Sequence, residues 1–287
     1  MATSPSHTLG EFIGSFFEDL MKKPISEFAT TENLYFDSAG VRKARPGKKV
    51  TWTDVHGSRH DLDFVIEQGG TDAVIGNPVA FIELAWRRYT KHSKNKVQEI
   101  EGAVNPICEK YTLHKPFKGA ILSGQFTDSS INQLKRDDFH VLYIPFEKLV
   151  HAFKKHGLDI DFDEKTSEAE LKKKYMAVSK ATNREKLDAV GKEILSVCGA
   201  EISQFINELS AYYHRKIRTI AVLPLHGTKT EMPDVDAAIG FISGYTAMPV
   251  TASLEYIEIF VTYNDGSFIQ CQFKDKGQAI AFLERLR

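Results

Sequence analysis

Two short apolar runs, each carrying one carboxylate, constrain this chain more than any other feature. The first reads Leu62-Asp63-Phe64-Val65-Ile66, the second Pro78-Val79-Ala80-Phe81-Ile82-Glu83-Leu84-Ala85-Trp86, with Gln68-Gly69-Gly70 between them. Runs this short, rich in β-branched and aromatic residues and bounded by glycine, predict neighbouring strands. A charge inside such a strand loses its hydration, and the cost is large unless a counter-ion compensates. A cation is therefore expected between Asp63 and Glu83. The chain then turns basic: Arg87, Arg88, Lys91, Lys94 and Lys96 all fall between Glu83 and Glu99, with no acidic residue in the interval. A positive surface beside two carboxylates suits a polyanion whose backbone must be drawn to a metal-dependent site.

These residues resemble the PD-(D/E)xK nuclease superfamily, in which an Asp beside an apolar strand is followed by Glu-x-Lys in the next strand. Asp63 and Glu83 match the two acidic positions, and Ala85 stands where the family usually has lysine. The resemblance covers roughly residues 8–150. It implies an α/β fold with a restriction-endonuclease-like core, a mixed central sheet flanked by helices. It also implies one or two Mg²⁺ per site, with Asp63 and Glu83 as metal ligands and the Leu84 carbonyl completing the shell. In this superfamily the lysine can move to a neighbouring element. Arg87 shares a strand face with Glu83 and Ala85, but arginine is always protonated and is a poor base. Lys96, from the helix that follows, is the expected third catalytic residue, with Lys94 and Gln98 as accessories. Arg87, Arg88 and Lys91 are the expected DNA-backbone contacts.

Residues 8–22 predict an amphipathic helix: Leu9, Phe12, Ile13, Phe16, Phe17 and Leu20 recur at helical spacing, and Thr8-x-x-Glu11 has the form of a capping box. Glu18 lies on it. Its two readings are a solvated helix face and, by the resemblance, an approach to the metal site. Strands are expected near 33–37 and 49–53, then the Asp63 and Glu83 strands. A helix from Ser93, a strand at 117–123, a short helix at 130–139 and a strand at 140–145 follow. Asp61 and Asp63 share a strand face; one is functional and the other a salt-bridging or turn-capping residue, and its apolar flank selects Asp63.

After Pro145 the character changes. Residues 151–217 are charged and helical, and Lys172-Lys173-Lys174 reads as a solvated helix face, the alternative being a DNA contact. Residues 218–287 predict a small α+β unit with a hairpin at Asp265-Gly266, for target recognition or dimerisation. No internal repeat is evident. The expected division is 1–150, 151–217 and 218–287.

With 287 residues the chain suffices for a core domain and a smaller partner. A formal charge of −1 does not announce a nucleic-acid binder, so distribution carries that inference. Cys108, Cys198 and Cys271 form neither a disulfide framework nor a zinc pattern, as in a reducing compartment. No stretch reads as a membrane span or a leader, and a cytoplasmic location is expected. The expected activity is Mg²⁺-dependent cleavage of double-stranded DNA by a homodimer, as in a type II restriction endonuclease. A phage-defence, repair or junction nuclease and a degenerate DNA-binding module are the alternatives.

Overall fold

The computed structural model describes residues 5–163, 165–224, 228–246 and 256–287. The chain divides into two compact units, Met1–Tyr111 with Pro116–Ser210, and Thr112–Lys115 with Ala211–Arg287. The helical stretch expected to stand alone at 151–217 therefore belongs, up to Ser210, with the sheet that precedes it. Among the described residues no helix is long and apolar enough to cross a membrane.

The chain begins with α1 (Pro5–Thr31), β1 (Tyr35–Ser38), β2 (Val50–Thr53), β3 (Arg59–Leu62), β4 (Phe64–Gln68) and β5 (Asn77–Arg87). There follow α2 (Ser93–Lys110), β6 (Phe117–Gly124), α3 (Asp128–Arg136), β7 (His140–Pro145), α4 (Phe146–Lys155), α5 (Glu168–Ala181), α6 (Arg184–Val197) and α7 (Gly199–Tyr213). One sheet has the order β1-β4-β5-β6-β7. Its first two pairings are antiparallel and its last two parallel, so it is a mixed sheet, and helices cover it. β2 and β3 form a separate hairpin.

Alternation along β5 assigns its two faces. Phe81 and Ala85 pack with Val97, Ile100, Val104 and Ile107 of α2. Trp86 projects the other way, against Gly10 and Gly14 of α1 and the Phe146 ring of α4 at 5.4 Å. β-Carbons at Gly10 and Gly14 would lie 3.7 and 3.8 Å from the Trp86 side chain, so longer side chains there would push the helix off the sheet. Where β6 ends, Gly124 has φ +101°, and an added Cβ would fall 2.1 Å from the Arg87 carbonyl oxygen. Only glycine fits.

α1 departs from its expected bounds at both ends. It begins at Pro5, a residue suited to a first helical turn, so Thr8 lies inside the helix and the capping box does not form. It also continues through Pro24, because Ile25, Phe28 and Ala29 extend the buried stripe begun by Leu9, Ile13, Phe17 and Met21.

The segment between β1 and β2 is locked by buried charge. Arg42, 3% exposed, donates from Nη1 to Asp37 at 2.8 Å and to Glu67 at 2.6 Å, and from Nη2 to the Val74 carbonyl at 2.7 Å. Arg45 closes on Asp37 at 3.0 Å. These bonds tie the loop after β1 to the turn between β4 and β5.

The second unit contains β8 (Ile217–Pro224), β9 (Thr230–Met232), α8 (Val235–Gly244), β10 (Ile257–Tyr263), β11 (Phe268–Phe273) and α9 (Lys276–Glu284), with sheet order β11-β10-β8-β9. The sequence shows no repeat, but in the structure the unit presents one ββα arrangement twice. Ile220-Ala221-Val222 corresponds to Ile259-Phe260-Val261. Asp234 and Asp275 cap equivalent helices by accepting from Ala237 and Gln278. Ala238 and Ile242 correspond to Ala279 and Leu283, and all four lie in one core with Ile220, Val222, Ile259 and Val261. β8 and β10 pair antiparallel with Ala221 opposite Phe260, so a local two-fold axis passes between these two equivalent positions.

Candidate active site

β4 begins at Phe64, one residue after Asp63. Phe64 pairs with Ile82 of β5, while Leu62 pairs with Val50 of β2, so the chain changes sheets at Asp63. Beyond Ile82, β5 has no β4 residue beside it. Asp63 fills that place: its Oδ2 accepts from the Leu84 amide at 2.7 Å, and its own amide donates to Glu83 Oε1 at 3.3 Å. Asp61, two residues back, is bound to Lys49 at 2.6 Å and to Thr51 at 2.6 Å. Of the two aspartates, Asp61 is the one that braces the hairpin.

Glu83 is 7% exposed and lies on the α2 face of β5. Burial pushes its carboxyl up to about 8, the Asp63 charge adds to this, and the Lys96 ammonium opposes it. Burial likewise raises Asp63, helped by the Glu18 charge; the Leu84 amide, Lys96 and Lys22 pull it down. The two acids therefore sense different surroundings. Lys96 acts on both, whereas Glu18 and Lys22 of α1 act on Asp63.

Ala85, 3% exposed, is packed in the cluster that holds Val97. α2 occupies the space a lysine stem at 85 would need, and that same helix brings Lys96 to the carboxylates. Lys96 is 19% exposed and lies 3.3 Å from the outer carboxylate of Glu99. Lys94 and Gln98 stand two residues either side of Lys96, about 200° around the helix, and both are exposed. They do not share its face. Arg87 is half-buried, bonded to the Trp86 carbonyl at 2.9 Å and 3.6 Å from Glu99. Lys91 is exposed, with its ammonium over the Tyr89 ring. Arg88 turns inward instead, its guanidinium 4.6 Å from the Phe146 ring centre and 4.4 Å from that of Phe162. The basic run thus presents Arg87 and Lys91 outward without Arg88.

Glu18 and Lys22 follow Gly10 and Gly14 at four-residue steps on α1. The two glycines sit on Trp86, and Glu18 and Lys22 lie one and two turns further along the same face of α1. Lys22 was missed in the sequence. Its signal was the position one turn after Glu18, on a helix face whose next turns are glycine.

Among the described residues no three His, Cys, Asp or Glu side chains converge as a metal shell. A buried Glu83 and a half-buried Asp63 braced against each other, with burial and their mutual repulsion opposing ionisation, are nevertheless suited to Mg²⁺, which keeps several waters and takes one or two carboxylates. The chain matches no protein-family model and no curated protein. A solved structure, described as a protein of unknown function, AF1548, aligns with 68% of this chain and 98% of its own at 10% identity and a TM-score of 0.28. A likeness at that level says nothing about function.

Proposed function

We propose that this chain is a Mg²⁺-dependent endodeoxyribonuclease with a restriction-endonuclease-like core, cleaving double-stranded DNA as a type II restriction endonuclease does. The observation that carries this reading is the reciprocal bracing of Asp63 and Glu83 with Lys96 acting on both. Asp63 and Glu83 would hold the metal, with the Leu84 carbonyl beside them. The bound ion supplies a Lewis acid for a non-bridging phosphate oxygen and lowers the pKa of the attacking water. Lys96 orients that water and moderates the charge that builds between the acids. Arg87 and Lys91 hold the backbone in register. Cutting both strands needs two such sites, hence a homodimer, and the second unit is free for target recognition.

The test is incubation of the protein with a long mixed-sequence duplex in Mg²⁺ and in EDTA, beside Glu83→Ala and Lys96→Ala. Discrete Mg²⁺-dependent fragments, lost in both variants, are expected. A smear would replace restriction with a non-specific nuclease. No cleavage, with DNA binding unchanged by Glu83→Ala, would overturn the catalytic reading and leave a DNA-binding module.

A further inference from the structure

The sheet of the second unit has two faces, and its buried core uses one. Ile257, Ile259 and Val261 of β10 pack with residues of α8 and α9, so alternation turns Glu258, Phe260 and Thr262 the other way. Gln272, Gln270 and Phe268 of β11 stand opposite these three. Phe260 and Phe268 are thus diagonal neighbours on one face, Phe260 half-buried and Phe268 54% exposed. Each ring carries a cation. The Lys229 ammonium lies 4.1 Å from the centre of the Phe260 ring, and the Lys115 ammonium 5.0 Å from that of Phe268. Ala221 and Thr219, the neighbouring positions of β8, are small.

Two residues before Phe260, on the same face, stands a carboxylate with half its accepting capacity unused. Glu258 is 8% exposed, and its Oε1 accepts from the Gln270 and Gln272 amides at 2.8 and 3.1 Å. Its Oε2 has no donor among the described residues. Carboxylate oxygens this deep ordinarily find one. The other acid on the face, Glu231, stands on β9, with Ala221 between it and Phe260.

We propose that this face binds single-stranded nucleic acid. Two bases stack on Phe260 and Phe268, Lys229 and Lys115 turn from the rings to the flanking phosphates, and Glu258 Oε2 accepts from the amino group of the base on Phe260. Phenyl rings stack on any base. The carboxylate adds a preference, because cytosine presents an amino group where thymine presents a carbonyl oxygen. Paired bases keep their faces inside the duplex, so the strand must be open. This binding needs neither a metal nor the Asp63–Glu83 pair.

Fluorescence anisotropy of the full chain with short labelled oligonucleotides, in EDTA, tests this apart from any cleavage. Oligo(dC) is expected to bind more tightly than oligo(dT), and both more tightly than a duplex of equal length. Phe268→Ala and Phe268→Leu should each weaken single-strand binding about tenfold, and Phe268→Tyr, which keeps a stacking face, should not. Lys229→Met should lower the salt dependence by about one phosphate contact. Glu258→Gln should erase the preference for oligo(dC) while leaving oligo(dT) within about threefold. Oligo(rC) beside oligo(dC) distinguishes RNA from DNA as the preferred strand. Duplex bound as tightly as single strands, or single-strand binding unmoved by Phe268→Leu, would overturn the proposal. An unchanged oligo(dC) preference in Glu258→Gln would overturn the role of that carboxylate. Binding lost in Glu83→Ala instead would place the strand at the acidic pair, which bears on the nuclease reading and not on this face.

Discussion

Asp63 and Glu83 are bound to each other's strands: the Asp63 amide donates to the Glu83 carboxylate at 3.3 Å, and the Asp63 carboxylate accepts from the amide next to Glu83 at 2.7 Å. Each acid therefore orients the other, and ionising both would set two like charges close together, with Glu83 buried.

That arrangement predicts a pH dependence of stability. Glu83 is raised to about 8 in the folded chain, first by burial and then by Asp63. Between roughly pH 4.3 and that value the folded state binds a proton the unfolded state has lost, so stability falls as pH rises. Without metal, melting in EDTA should occur at lower temperature at pH 8 than at pH 5.5. Glu83→Gln should flatten the slope. Mg²⁺ should stabilise the wild type more at pH 8 than at pH 5.5.

Lys96→Met should reduce cleavage by about 10²-fold or more, the scale of a lost group that handles a proton. Mn²⁺ binding should persist, since the carboxylates remain. Lys94→Ala and Gln98→Ala, on the exposed side of α2, should stay within about threefold of wild type in the same assay. A large loss in either would move the working face of α2.

A lysine introduced at position 85 should not take over from Lys96. Ala85→Lys would drive a long stem and an ammonium into the cluster of Phe81, Val97 and Leu122, where overpacking alone costs about 1–3 kcal/mol. Urea unfolding should register the loss, and cleavage by the double variant Ala85→Lys, Lys96→Met should not recover.

Arg42→Met should be among the most destabilising single changes, at about 3–5 kcal/mol, because it leaves Asp37 and Glu67 buried without their shared guanidinium. The effect should appear in denaturant midpoints. Metal binding at Asp63 by the folded fraction should change little.

Most strands and helices from β1 to β7 were readable because their apolar periodicities change from two to about four at clear glycine and polar breaks, but the single strand expected through Asp63 is split there into β3 and β4 in different sheets. Asp63 and Glu83 stood out as charges inside apolar strands, and the structure brings them together at one end of β4; Lys96 and Glu18 came from the resemblance and not from the pattern of the residues themselves. Three things were not readable. The inward turn of Arg88 depends on Phe146 and Phe162, residues distant in sequence. Lys22 is ordinary until Gly10 and Gly14 show which face of α1 meets Trp86. The twofold ββα arrangement of the second unit rests on helix caps and core positions that are scattered in sequence.

The dyad in that unit sets a condition on its two halves. Positions related by the axis meet themselves there, so identical copies would place two alanines or two phenylalanines side by side at 221 and 260. The chain instead pairs one small and one large side chain, with Lys229 over the Phe260 ring at 4.1 Å. A fold assembled from two equal chains could not make that choice. Covalent linkage of the halves is what allows asymmetry at the symmetry axis.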